Sequence, residues 1–208
     1  MVYARSTSIR ARRDHIEVAI GHVRDEVMPV LMEMDGCIGL SMLVDRQDGN
    51  CIATSAWHDE DRMRASDEAL RPLRDRLSVM VGGGRPEVEE WEIAILHRDH
   101  TSRPGACVRA VWVKIDPSGL DHALEAYRSM VLPAAEDLDG FCSASLLMNR
   151  STGRSVSSVT FDSQDALERS RESAAWIRDS ATAEARVTIL DVCEFELTLA
   201  HLRVPEMA

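Results

Sequence analysis

One stretch occurs twice in this chain, and the repeat constrains the fold more than any other feature. Residues 29–36, Pro-Val-Leu-Met-Glu-Met-Asp-Gly, return at 133–140 as Pro-Ala-Ala-Glu-Asp-Leu-Asp-Gly, an offset of 104 residues. The offset holds without a gap over almost the whole chain, and its period is far longer than the ~20–50 residues of a solenoid repeat. The sequence therefore predicts two copies of one domain. Identical pairs include Arg5/Arg109, Ser41/Ser145, Arg46/Arg150, Ser66/Ser170, Glu90/Glu194 and His97/His201.

Both copies show the same order of predicted elements. A strand leads into an amphipathic helix that ends at an Asp-Gly turn, and a hairpin, a second helix and a last strand follow. The strands and hairpins are predicted at 2–10, 37–57 and 86–97 in copy one, and at 107–115, 141–161 and 187–201 in copy two. The corresponding domains are residues 1–97 and 107–208, and residues 98–106, with Pro104-Gly105, are the predicted linker.

The order βαββαβ predicts the fold class. It is the split unit of ferredoxin-like domains, so the chain is predicted to be α+β with two such repeats. The helices of each repeat cover one face of its sheet and leave the other face open. Because both sheets belong to one chain, we expect an intrachain pseudo-dimer that closes as an α/β barrel.

Charge and composition exclude several classes of partner. The 208 residues carry 24 basic and 35 acidic side chains, a net charge of −11, which argues against binding to nucleic acid or to an anionic membrane. No run approaches the ~18 apolar residues of a membrane span, and the N-terminal segment lacks an apolar signal core. We therefore expect a cytoplasmic protein.

The five cysteines indicate neither disulfides nor a metal site. They are odd in number, lie at positions 37, 51, 107, 142 and 193, and contain no Cys-x-x-Cys motif. None aligns with another at the repeat offset. The sequence therefore predicts no disulfide framework, no metal site and no cofactor.

Two short motifs carry a resemblance to a known family. Asp35-Gly36-Cys37 precedes the second strand, and Trp57-His-Asp-Glu-Asp61 leads into the helix that contains Ser66. In these places the chain resembles the antibiotic biosynthesis monooxygenase-like branch of the dimeric α/β-barrel proteins. The resemblance implies a tandem-duplicated member of that branch, which includes cofactor-free oxygenases of polyketide quinone precursors and haem-degrading enzymes.

The haem-degrading pattern is incomplete in both copies. The resemblance would require an Asn on the first strand and a Trp and a His on the second helix. Copy one has Ser6, Thr7 and Ser8 on that strand, and copy two has Trp176 on its helix without a following His. We therefore predict no haem cleavage. Haem binding without degradation, with His22 as a ligand, is kept as a third possibility behind the two functions below.

Two functions are consistent with these patterns. One is a monooxygenase-like enzyme that oxidises a small aromatic or quinol-type substrate without a cofactor in a cavity between helices and sheet. The other is a non-catalytic small-ligand-binding or structural barrel. No catalytic residue can be named. The candidate substrate-binding residues are Arg5, Ser6, Ser8, Trp57, Arg109 and Trp112, although a strand tryptophan is also an ordinary core residue.

A repeated pair of charges gives a structural prediction. Arg5 and Arg109 lie on the first strand of each copy, and Glu90, Glu92, Glu194 and Glu196 lie on the last strand. These strands are antiparallel neighbours in a ferredoxin-like sheet, so we expect Arg5 to pair with Glu90 or Glu92, and Arg109 to pair with Glu194 or Glu196. Such a pair either fixes the strand register or lines a cavity.

Overall fold

The first half of the chain forms the predicted elements in the predicted order. The protein was analysed as a computed structural model, which describes residues 1–207. The strands are β1 (Tyr3–Arg10), β2 (Cys37–Val44), β3 (Asn50–Trp57) and β4 (Glu87–Arg98). The helices are α1 (Ile16–His22), α2 (Met28–Glu33), α3 (Glu60–Ala65) and α4 (Asp67–Met80).

The second half repeats this order. Its strands are β5 (Cys107–Lys114), β6 (Phe141–Asn149), β7 (Arg154–Phe161) and β8 (Thr188–Leu202). Its helices are α5 (Leu120–Ala126), α6 (Leu132–Glu136), α7 (Gln164–Arg169) and α8 (Arg171–Ala185). The second predicted helix of each copy is thus two helices, which meet at Ser66 and at Ser170. No helix in the described residues is both long and apolar enough to span a membrane.

The sheet pairing confirms the predicted α+β fold. β1 and β2 both pair antiparallel with β3, and β5 and β6 both pair antiparallel with β7. The hydrogen-bonded strand order is β1-β3-β2-β8-β5-β7-β6-β4, a closed barrel. The chain is therefore an α/β barrel built from two ferredoxin-like repeats.

The boundary between the two compact units lies within the last strand of each repeat. The first unit comprises Met1–Trp91 and Phe195–Val204, and the second comprises Glu92–Glu194 with the segment from Pro205. Within the first unit β2 pairs with the end of β8, and within the second unit β6 pairs with the end of β4. Each copy of the sequence thus contributes the end of its last strand to the other unit.

A proline explains the irregular first helix of each copy. Helices α1 and α2 are joined by a π-helical turn at Val23–Val27, and α5 and α6 are joined by one at Tyr127–Val131. Pro29 and Pro133 follow these turns. A proline ring lacks an N–H and collides with the carbonyl four residues earlier, and the wider π turn relieves this collision. In the second copy the turn is closed by the Leu132 N–H, which donates to the Tyr127 carbonyl.

Each hairpin turn is tied to the end of the first strand. The Ala11 N–H donates to the Gly49 carbonyl, and the Ile115 N–H donates to the Gly153 carbonyl, both at 2.8 Å. The two glycines have φ of +75° and +69°, and a Cβ at either would collide with the carbonyl oxygen of residue 11 or 115. Only glycine meets both requirements without strain.

Candidate functional site

A cavity of about 120 Å³ lies between the helices and the sheet of the second unit. β5 supplies Val111 and Val113 to its wall, and α8 supplies Ile177 and Ala181. Because side chains alternate along a strand, the odd-numbered positions of β5 face the helices and this cavity. The lining is mostly aliphatic. None of its described residues is Asp, Glu, His or Cys.

The matching cavity of the first unit is much smaller, about 50 Å³. Most of its lining positions recur in the second cavity at the repeat offset, and the second cavity extends to further residues, so side-chain size contributes to the difference. Three leucines that fill the first cavity are alanines in the second, and each exchange removes three carbon atoms. The exchanged pairs are Leu31/Ala135, Leu70/Ala174 and Leu77/Ala181.

The wall formed by α8 is also packed less tightly than its counterpart. Helix α4 buries Leu70 and Leu77, whereas no residue of α8 is buried, and Trp176 on α8 is 70 % exposed. A helix that buries few apolar groups gains little from packing and opens at low cost. Helix α8 is therefore the less tightly packed wall of the second cavity.

The second cavity contains hydroxyl groups that the first lacks. Ser155 and Ser157 on β7 replace Cys51 and Ala53, and Tyr127 replaces Val23. The Ser157 hydroxyl donates to Tyr127 Oη at 3.2 Å.

Ser155 Oγ is the exception among these hydroxyls. Ser155 is only 1 % exposed, and its Oγ has no hydrogen-bond partner within the described residues. A buried hydroxyl without a partner costs about 1–3 kcal/mol, so this atom marks a place where a ligand or water would bind.

Burial also determines the protonation state of Tyr127 in the cavity wall. Desolvation raises the pKa of Tyr127 to about 12, and the hydrogen bond from Ser157 offsets this only in part. At neutral pH the phenol is therefore neutral and serves as a hydrogen-bonding group, not as a base.

Arg109 forms one end of the cavity. Its Nη1 donates to Ser170 Oγ at 2.9 Å and its Nη2 to the Leu167 carbonyl at 2.8 Å, where α7 meets α8. Nη2 also lies 2.9 Å from Glu194 Oε1, and the guanidinium carbon lies 5.7 Å from the centre of the Phe161 ring. Burial of the cation is thus offset by a carboxylate, two neutral acceptors and an aromatic face.

Arg5 makes two of the same contacts in the first unit. Its Nη2 donates to Glu90 Oε1 at 2.7 Å and its Nη1 to Ser66 Oγ at 3.0 Å. The predicted pairing of Arg5 with Glu90 or Glu92 and of Arg109 with Glu194 or Glu196 is therefore confirmed, with Glu90 and Glu194 as the partners.

The other two glutamates pair with the repeated hairpin arginine. Glu92 binds Arg150 at 2.7 Å, and Glu196 binds Arg46 at 2.5 Å. Each of these pairs lies within one compact unit, but its partners come from different copies of the sequence. Since Glu90 and Glu92 are two residues apart on β4, they also show where that strand passes from one unit to the other.

The six site residues predicted from the sequence do not lie together in one site. Arg5 and Arg109 line the cavities, whereas Ser6, Ser8 and Trp112 lie on the opposite face of β1 and β5 and line neither cavity. The Ser6 hydroxyl accepts a hydrogen bond from Trp91 Nε1 at 2.8 Å. Trp57 is fully buried, and its Nε1 donates to Ser55 Oγ at 3.0 Å. The difference between Ser8 and Trp112 therefore does not account for the unequal cavities.

The histidines singled out in the sequence have local partners. His97 lies between two carboxylates, with Nε2 2.7 Å from Glu136 and Nδ1 2.6 Å from Glu206. His22 is buried in the first unit, with Nε2 3.2 Å from the Leu73 carbonyl and Nδ1 3.1 Å from Glu26. Both nitrogens of each imidazole thus face protein atoms.

Sequence reasoning missed the residues that make the second cavity distinct, namely Tyr127, Ser155, Ser157 and the three alanines. Their signal was present in the repeat, because each differs in size or polarity from its counterpart in copy one. The identical pairs, in contrast, belong to the scaffold that both copies share.

Comparison with known proteins gives two close relatives. Rv2557 and Rv2558 of Mycobacterium tuberculosis strain ATCC 25618 / H37Rv are 58 % and 55 % identical to the chain. Each match covers all of the chain, and 92 % and 88 % of the respective relative. The chain belongs to their family. Their names state no activity, and no protein-family model matches the chain.

Several solved structures are similar in fold to this chain. An anthrone oxidase-like protein has a TM-score of 0.70 at 14 % identity, over all of the chain and 94 % of its own. A ferredoxin-fold protein related to antibiotic biosynthesis monooxygenases, from Listeria monocytogenes, has a TM-score of 0.54 at 10 % identity, over 93 % and 94 %. The heme-degrading enzyme LmHde of Listeria monocytogenes gives 0.55 at 9 %, over 93 % and 98 %. The fold is that of a tandem-duplicated, monooxygenase-like α/β barrel.

Proposed function

We propose that the second-unit cavity binds a small phenol or quinol-type molecule. Ser155 Oγ carries this proposal, because it is a buried hydroxyl without a partner on the wall of a cavity that is otherwise mostly apolar. A ligand with one hydroxyl or carbonyl oxygen would satisfy Ser155, and its ring would fill the space left by the three alanines. A hydrocarbon would leave Ser155 unpaired, which gives the site a preference for an oxygen-bearing ring.

The cavity volume limits the size of the ligand. An apolar cavity of about 150 Å³ accommodates benzene, so the 120 Å³ measured here corresponds to one ring and not to three fused rings. A larger substrate would require α8 to move outward. We therefore expect single-ring phenols and hydroquinones to bind better than polycyclic quinols.

Oxidation of the bound molecule is the second candidate function, and the position of Arg109 favours it. The Arg109 guanidinium lies at the cavity wall, and although Glu194 already pairs with it, it would stabilise part of the negative charge that develops on a phenol oxygen during reaction with dioxygen. In a balanced reaction, a phenol and dioxygen give a para-quinone and water, and the substrate supplies all the electrons. Since no carboxylate, imidazole or thiol lies among the described lining residues, the substrate would have to lose its proton without a protein base.

Calorimetric titration of the full chain with phenol and with toluene tests the binding proposal. We expect phenol to bind more tightly, and Ser155→Ala to weaken phenol binding by about 2- to 13-fold while toluene binding is unaffected, since one hydrogen bond contributes about 0.5–1.5 kcal/mol. Cys51→Ala, at the matching position of the first unit, is the control and should leave both affinities unchanged.

Two outcomes would count against these proposals. Equal binding of phenol and toluene, or phenol binding that survives Ser155→Ala at full strength, would refute the assignment of Ser155. Oxidation is measured separately, by oxygen consumption and quinone absorbance. Binding without oxygen consumption would leave a ligand-binding protein and exclude the enzymatic candidate for that substrate.

A further inference from the structure

Three metal-ligating side chains meet in the second unit, outside the cavity lining. His100 lies in the segment that connects the two copies, Cys142 is the second residue of β6, and Asp162 follows the end of β7. One ligand atom from each residue lies within 4.8 Å of the other two. His100 Nε2 and Asp162 Oδ1 are 2.8 Å apart.

Backbone hydrogen bonds hold all three residues in place. The N–H groups of Asp99 and His100 donate to the Cys142 carbonyl at 3.0 and 3.4 Å, and the Asp162 N–H donates to the Gly140 carbonyl at 2.9 Å. The position of the cluster thus follows from the way the connecting segment is bound to β6. It does not depend on the side chains alone.

A further carboxylate orients the histidine. Asp99 Oδ2 lies 2.8 Å from His100 Nδ1, on the side of the ring away from Asp162. In metal sites a carboxylate commonly accepts the second ring N–H of a ligating histidine, which fixes the ring and leaves the other nitrogen free for the metal. His100 has this arrangement, with Nε2 directed toward Asp162 and the cluster.

We propose that His100, Cys142 and Asp162 bind a divalent transition metal, with zinc as the best match. Nitrogen, thiolate and carboxylate are the ligands that zinc takes, at about 2.0–2.3 Å, which places ligand atoms about 3.3–3.8 Å apart in a tetrahedral site. The three atoms reach these separations by shifts of side chains around the metal. Three protein ligands leave a fourth position for water.

The cluster is not a by-product of the duplication. Cys142 and Asp162 correspond to Ile38 and His58 at the repeat offset, and His100 corresponds to Val204. The same backbone bond that holds Asp162, from residue 58 to Gly36, is present in the first unit. The scaffold is therefore shared, whereas the ligand set occurs in the second unit alone.

Metal titration of the full chain tests the site. The protein is stripped with a chelator and titrated with Co²⁺ and then Zn²⁺, while the absorbance is followed. We expect one Co²⁺ per chain with a thiolate-to-cobalt charge-transfer band, and displacement of the band by Zn²⁺. Cys142→Ser should remove the band, and Cys37→Ser, a substitution of a partly buried cysteine outside the cluster, should retain it.

Further variants keep the proposal open to refutation if Cys142→Ser does not fold. His100→Ala and Asp162→Asn change side chains that are partly exposed, and both should lose stoichiometric binding. Asp99→Asn should weaken binding by about 10–100-fold, the effect expected for a group that orients a ligand. Absence of the charge-transfer band in the wild type, or binding that persists in His100→Ala and Asp162→Asn, would overturn the assignment.

Discussion

The substitution Ala181→Leu should fill part of the second cavity. It restores on α8 the side chain that Leu77 provides on α4, at a position that lines the cavity wall. The three added carbon atoms enter empty space, so we expect the free energy of unfolding to rise and ligand binding to be lost. Few single substitutions are expected to increase stability and abolish binding together.

The two volumes set an upper limit on the effect. The cavities of about 120 and 50 Å³ differ by about 70 Å³, and at about 24 cal/mol per Å³ the additional empty space costs about 1.7 kcal/mol. Ordering a leucine side chain costs about 0.5–1 kcal/mol. Because Ala181→Leu restores one of the three exchanged leucines, it should raise the free energy of unfolding by at most about 1 kcal/mol, or raise Tm by at most about 2–4 °C for a chain of this size.

The matched control is Leu77→Ala in the first unit. It should enlarge the small cavity and destabilise the protein by about 2.7–5 kcal/mol, the range for buried leucines. Urea unfolding followed by circular dichroism measures both variants, and the phenol titration is repeated on each. If Ala181→Leu destabilised the protein and left phenol binding unchanged, the ligand would not occupy this cavity and the volume comparison would be wrong.

Four further expectations follow from the structure. Glu194→Gln should lower the free energy of unfolding, measured with urea, by about 2–3 kcal/mol. This is less than the ~3–5 kcal/mol expected for a fully buried pair, because Arg109 keeps two neutral acceptors. Additive effects of Glu194→Gln and Arg109→Met would refute the contact. Gly153→Ala should destabilise by about 1–3 kcal/mol, since it forces an L side chain to positive φ against a carbonyl, while Gly84→Ala, in open space, should stay within about 0.5 kcal/mol. Tyr127 has a pKa raised to about 12, so its stabilising effect is present below about pH 10 and is lost as the pH rises toward 12; a tyrosinate absorbance titration checks this. Haem with a reductant should yield no biliverdin-like product, as measured by absorbance.

The fold could be predicted from the sequence because the repeat supplied each element twice. The polar first strand at 2–10 was ambiguous alone, but its match at 107–115 is rich in valine and isoleucine. The repeated arginine and glutamate likewise predicted a cross-strand contact, since strand neighbours follow from the topology. Positions that follow from topology and periodicity can be predicted without coordinates.

The cavity and the metal cluster could not be predicted in the same way. A cavity depends on the sum of side-chain volumes from several elements, and no single alanine among Ala135, Ala174 and Ala181 indicates empty space. His100, Cys142 and Asp162 are far apart in sequence and lack the short spacing of familiar zinc motifs. Their proximity depends on how the connecting segment binds β6. That contact recurs in the first unit, where the Arg203 N–H donates to the Ile38 carbonyl, but the three ligand side chains do not recur.

Comparison of the two copies distinguishes the residues that build the shared fold from those that differ between the two cavities. Some groups are the same in both copies, such as the arginine paired with a glutamate and the serine at which two helices meet. They have the same structural role twice, so their repetition does not mark a ligand site. The cavity residues differ between the copies. Three leucines become alanines in copy two, and hydroxyl groups change places: Cys51 and Ala53 become serines, whereas Thr7 and Ser55 become Val111 and Val159. In the proposed function the second copy holds the ligand and the first stabilises the fold; the leucine-to-alanine exchanges in one cavity, together with the unpaired Ser155, support this proposal.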